Sequence, residues 1–84
     1  MYDVYYIYRS VTHGQNGRAV LDRAGIPARL IRSPRELAPA GCAYALTLRS
    51  RDAARAERLL QAEGAQPRDS FRRTPEGGYV RRTP

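Results

Sequence analysis

An α+β fold, with two helices packed on one face of a four-stranded antiparallel sheet, is predicted by three features of the 84-residue sequence. Runs of β-branched and aromatic residues alternate with runs whose small and apolar residues recur at helical spacing. Two glycines, Gly25 and Gly64, stand where the helical runs should stop. The two halves also repeat, since Arg9-Ser10 matches Arg49-Ser50 forty residues on and Pro27 matches Pro67 at the same offset. Each half reads as strand, helix, strand. Two such units sharing one sheet, with both crossovers right-handed, make the ferredoxin-like split βαβ arrangement. The length suits one small domain over residues 1–84.

The elements follow in order. Tyr2 to Arg9 is dense in Tyr, Val and Ile and free of Gly and Pro, so it reads as the first strand. Thr12-His13-Gly14-Gln15 has the spacing of a capping box, which predicts a helix start at Thr12. Gly17, Val20, Leu21 and Ala24 then lie on one helical face, and Gly25 ends the helix. Ile26 to Arg32 reads as a strand, Ser33 to Cys42 as a loop and Ala43 to Arg49 as a third strand. Asp52 to Glu63 is the second helix, with Ala53, Ala56, Leu59 and Leu60 inward, closed by Gly64. Arg68 to Arg73 makes a fourth strand. After the turn Pro75-Glu76-Gly77-Gly78, Tyr79 to Arg82 is an extra edge strand or frays with the last residues.

Composition narrows the function. All fifteen basic residues are Arg, against eight Asp and Glu, giving a net charge of +7 that favours anionic partners. The lack of Lys in an Ala- and Arg-rich chain also fits a coding bias. No apolar stretch approaches the roughly 20 residues of a membrane span, and the N-terminus lacks the order of a signal peptide. A cytoplasmic protein with no membrane association is expected. One Cys and one His leave no cluster of metal-ligand spacing and no internal disulfide. No metal or cofactor is expected, and a carrier or binding protein fits better than a turnover enzyme.

The ten-residue segment Ser33 to Cys42 is longer than ordinary hairpin connections, and loops of that kind are disproportionately functional. It ends in the only thiol. Gly41 permits close approach to Cys42, while Arg32 and Arg35 supply guanidinium groups that would favour a thiolate and bind an anion. A lone Cys at a strand start is more often inert packing. His13 could orient or deprotonate the thiol, or lie on the surface at the helix start.

The order of Thr12-His13, the helix ending Ala24-Gly25-Ile26, Leu30-Ile31, Ser33-Pro34-Arg35-Glu36-Leu37, and Cys42 leading into Ala45-Leu46 resembles the Putative Se/S carrier protein-like family of small bacterial domains. The resemblance runs from about Tyr5 to Leu60. It implies a carrier that holds sulfur or selenium on its Cys as a persulfide or perselenide and exchanges it with donor and acceptor proteins. That residue would be Cys42. The family's Pro-Arg segment falls on Pro34 and Arg35, and its Thr-His pair on Thr12 and His13. Pro39-Ala40-Gly41 stands where the family tends to have a Ser run, and Ala43 where it has Gly.

A different class of function is a single-stranded RNA-binding or sheet-mediated protein-docking module using Tyr and Arg side chains. Tyr6 and Tyr8 share one face of the first strand and Tyr5 and Ile7 the other, so one pair should be core and one solvent-facing. A homodimer through the sheet would cover the same exposed face.

Overall fold

Alternation along the first strand decides the architecture. The computed structural model describes residues 1–37 and 43–82, and in it all five residues of β1 (Val4–Tyr8) are buried. Val4, Tyr6 and Tyr8 enter one apolar cluster, Tyr5 and Ile7 another, so β1 is core on both faces. Around it stand β2 (Arg29–Arg32), β3 (Tyr44–Leu48), β4 (Asp69–Arg73) and β5 (Tyr79–Arg81), with α1 (Val11–Arg23) and α2 (Ala53–Ala62). Every pairing is antiparallel and the sheet order is β2-β3-β1-β4-β5.

The α+β class and the two helices match the expectation; the four-stranded sheet does not. Tyr79–Arg81 pairs fully with β4, giving a fifth strand and a sheet order that a four-stranded arrangement does not have. Gly77, at φ 92°, turns the β4–β5 hairpin where a side chain would be strained. Arg82 N–H then donates to the Ser70 carbonyl at 2.8 Å, and the Tyr79 ring meets Tyr5 edge-on at 5.3 Å. Backbone bonds and aromatic packing together hold a segment that composition leaves ambiguous.

Both helices lie on the Val4, Tyr6, Tyr8 face, where Leu21 and Val20 from α1 and Ala56 and Leu60 from α2 are buried. The cap of α1 lies two residues before the expected one. It is Ser10, whose Oγ accepts the His13 N–H at 3.2 Å and lies 2.6 Å from His13 Nδ1. Ser10 thus supplies the cap, its Oγ shared between the backbone N–H and the ring of His13, and the Thr12–Gln15 cap is corrected.

Two glycines bring α1 close to the sheet. A Cβ at Gly14 would fall 2.7 Å from Leu30 Cδ1, and one at Gly17 would fall 2.6 Å from Tyr8 Oη. Both helices stop in the same way. Gly25 (φ 73°) and Gly64 (φ 69°) take the left-handed conformation, and Ile26 N–H reaches back to Leu21 O at 3.0 Å as Ala65 N–H does to Leu60 O at 2.8 Å. That bond also explains why β2 is shorter than the expected Ile26–Arg32. Ile26 belongs to the helix stop, and Pro27 has no N–H to give a ladder.

The tyrosine hydroxyls under the helices are satisfied. Tyr8 Oη donates to the Ala65 carbonyl at 2.8 Å, and Tyr6 Oη donates to Glu57 Oε2 at 2.7 Å. Burial pushes the pKa of both well above the ordinary 10.0, and Glu57 raises Tyr6 further. Among the described residues, no helix is long and apolar enough to cross a membrane.

Candidate functional site

The sheet register gathers the described residues of the predicted site at one end of the sheet. Tyr8, the last residue of β1, stands opposite Tyr44, the first of β3, and Tyr44 also stands opposite Arg32, the last of β2. α1 starts from that end of β1, and the segment joining β2 to β3 leaves and re-enters the sheet there. Gly14 lies against Leu30, two residues before Arg32, so the first turn of α1 sits over the end of β2. Thr12 and His13 therefore share this end with Arg32, Ser33 and Ala43.

The connecting segment is clamped where it meets the sheet. Ser33 N–H donates to the Ala43 carbonyl at 2.9 Å, one step beyond the Arg32–Tyr44 pair. Ser33 Oγ and Leu37 N–H both donate to the carbonyl of Pro34, at 3.2 and 3.0 Å, which winds Arg35–Leu37 into a single 3₁₀ turn. Pro34 is half-buried and starts that turn; its fixed φ suits the position. Leu37 packs against Tyr5, Ile7, Ala43 and Ala45. The turn is thereby anchored to the sheet face opposite the helices.

Individual residues are disposed as follows. Arg32 and Arg35 are exposed, and among the described residues neither side chain makes an ion pair. Thr12 is exposed and makes no side-chain hydrogen bond among the described residues, since Ser10 has the capping role. His13 is exposed with one ring nitrogen engaged by Ser10 and the other directed to no described partner. Gly41 and Cys42 lie outside the described residues. The covalent neighbour of Cys42, Ala43, is buried at 7% exposure and fixed by the Ser33 bond.

The expectation of one solvent-facing tyrosine pair on β1 is corrected. Tyr5, Tyr6 and Tyr8 are exposed by 7%, 0% and 3%, so no β1 ring is free to stack on a base or a second copy. Two helices cover Tyr6 and Tyr8; Leu37, Phe71 and Tyr79 pack against the cluster holding Tyr5 and Ile7. Leu37 is the one large apolar residue within Ser33–Cys42, and it is the signal from which that cover could have been read.

A cavity of about 460 Å³ lies on the other side of β1 from the β2–β3 segment, between α2 and the β4–β5 hairpin. Its wall holds a closed polar network in which Glu57 accepts from both Tyr6 and Arg82, and Arg82 also donates to Ser70 Oγ at 2.9 Å. Partial burial lowers the Arg82 pKa, but the Glu57 bond and charge outweigh it and leave the net shift upward. With donors and acceptors matched to one another, the network fastens β5 to α2.

Residues 3–72 match the family described as Putative Se/S carrier protein-like. No curated protein and no solved structure matches the chain. The matched stretch takes in β1 through most of β4 together with both clamped ends of the Cys42 segment, and on that ground the chain belongs to the Putative Se/S carrier protein-like family.

Proposed function

We propose that this protein carries sulfur or selenium on Cys42, as a persulfide or perselenide, between a donor and an acceptor protein. Membership of the carrier family over residues 3–72 is the observation that carries the reading. The surroundings of the segment support it. Its base is clamped by Ser33 and Ala43, its 3₁₀ turn is anchored by Leu37, and the guanidiniums of Arg32 and Arg35 are not consumed by carboxylates among the described residues. Those charges favour the thiolate over the thiol.

The chemistry balances without an added oxidant. The Cys42 thiolate attacks the outer sulfur of a donor persulfide; a new S–S bond forms, the donor's S–S bond breaks, and the donor leaves as its own thiolate. Transfer reverses the roles, with an acceptor nucleophile taking the outer atom and Cys42 leaving as thiolate. With a single Cys in the chain, no internal thiol can expel the cargo as a disulfide. In this reading Arg35 and Arg32 hold the anionic sulfur, Pro34 and Gly41 shape the segment, and His13 and Thr12 stand at the neighbouring helix start.

Incubation with a small-molecule persulfide donor, followed by intact mass measurement, tests the proposal. The wild type should gain the mass of one sulfur atom, and Cys42→Ser should not. Failure of the wild type to gain sulfur, or an apparent thiol pKa above the unperturbed value of about 8.5 in a pH series of alkylation rates, overturns it.

A further inference from the structure

The sheet face without helices carries a pattern that the carrier chemistry does not use. The register aligns Arg29 of β2, Thr47 of β3, Tyr5 of β1, Phe71 of β4 and Arg81 of β5 in one row crossing all five strands. At the usual strand spacing the row is about 19 Å wide. Arginines stand at both edges and aromatic rings in the middle.

The next level toward the start of β1 continues the pattern. Arg73 and Tyr79 are a cross-strand pair, with the guanidinium carbon 5.6 Å from the ring centre, and Arg81 lies over Phe71 at 4.9 Å. Arg29 and Arg49 both lie over Tyr2, at 5.2 and 5.8 Å. All four of these cation–π contacts involve arginines placed on this face or at its rim.

Three of the four arginines have charge to spare. Arg81 is paired with Asp69, but Arg29, Arg49 and Arg73 make no ion pair among the described residues, and Arg49 Nε is buried without a hydrogen-bond partner. Of the acids nearby, Asp3 accepts the Ser50 N–H at 3.0 Å and Asp69 is engaged by Arg68 and Arg81; Glu36, in the turn anchored by Leu37, is close enough for its charge to act on Arg73 and Tyr79, without an ion pair to Arg73 among the described residues. Guanidinium planes already stacked on rings form a flat cationic surface. Such a surface suits unpaired bases, which stack on aromatic and guanidinium planes while their phosphates meet the remaining positive charge.

We infer that the helix-free sheet face, through Arg29, Arg49, Arg73 and the Phe71–Arg81 stack, binds single-stranded RNA. The inference is independent of the thiol chemistry. It also differs from a reading based on Tyr6 and Tyr8, whose rings are under the helices.

The test uses a fluorescently labelled ten-nucleotide oligouridylate and the full chain, with anisotropy read at several salt concentrations. Neutralising three phosphates gives a log–log salt slope near −2.1, so affinity should fall roughly 20-fold between 50 and 200 mM salt. The double variant Arg29→Gln, Arg73→Gln should reduce that loss to roughly threefold. Phe71→Leu, which keeps apolar bulk but removes the ring, should weaken binding at least about fivefold. Cys42→Ser should bind like the wild type.

A second double variant, Arg58→Gln, Arg72→Gln, removes the same charge from α2 and from the helix-side face of β4. It should keep the wild-type slope, and an equal loss there would show net charge alone at work and overturn the proposal. Absence of binding at 50 mM salt overturns it as well. So does tighter binding to a ten-residue polyglutamate than to the oligonucleotide, which would assign the face to an acidic protein.

Discussion

The two faces of the sheet solve the same burial problem by different means. On one, Tyr6 and Tyr8 lie beneath two helices, with hydroxyls matched to Glu57 and the Ala65 carbonyl and a glycine-lined helix pressed close. On the other, Tyr5 and Ile7 are covered without any helix, with Leu37 from the connecting turn and the rings of Phe71 and Tyr79 packed against them. The first face is sealed by regular structure and depends on close packing. The second is covered by side chains and a single turn, so it combines burial with an accessible charged exterior.

The largest effect separating the faces is expected from paired truncations. Leu21→Ala removes a fully buried side chain beneath α1 and should cost about 2–5 kcal/mol in chemical denaturation. Leu37→Ala, on the half-buried turn, should cost about 1 kcal/mol. Equal losses would mean that the turn is as integral to folding as the helix. The carrier proposal adds that Leu37→Ala slows sulfur loading while the fold persists.

A smaller but sharper difference comes from Gly17→Ala. Alanine gains about 1 kcal/mol of helix propensity, yet its Cβ would sit 2.6 Å from a Tyr8 hydroxyl that is tied to Ala65. Overpacking of about 1–3 kcal/mol should win, and the variant should melt below the wild type. A more stable Gly17→Ala protein would show that α1 can lift off Tyr8 freely.

Alkali should act on the helix-covered face. The folded pKa values of Tyr6 and Tyr8 are raised above the unfolded value near 10.0, so the stability held by their neutral forms is complete below pH 10 and is lost as pH rises toward the folded values. The wild type should therefore lose stability progressively above about pH 10. Tyr8→Phe should shallow that decline, at a cost of about 1 kcal/mol near neutrality from the unpaired Ala65 carbonyl. An identical decline in Tyr8→Phe would place the alkaline transition elsewhere.

Much of the architecture was legible because it depends on local signals. Gly25 and Gly64 mark the helix ends by conformation, and both adopt it; the spacing of Gly17, Val20 and Leu21 marks the buried stripe, and all three are buried. What was misread or left open depends on geometry that is not local. The cap lies at Ser10, whose hydroxyl reaches both the N–H and the ring of His13. The fifth strand depends on Tyr79 finding Tyr5, more than seventy residues away in sequence.

The site was legible in the same uneven way. The excess of arginine was visible, but which arginines stand over which rings follows from cross-strand register, as at Phe71 and Arg81. The convergence of Thr12-His13 with Arg32 and Ser33 at one end follows from β3 lying between β1 and β2. Cys42 and Gly41 carry the chemistry proposed for the loop, and their two ends of chain are what register brings to that place.

The Ser33–Ala43 hydrogen bond bears on how freely the segment between the two residues can change in length. With both ends pinned to the strands, the loop-closure cost of extra residues between them is small, about 0.6 kcal/mol for a doubling of length. Segment length is then a lever open to engineering, because the strand framework on either side keeps its own hydrogen bonds.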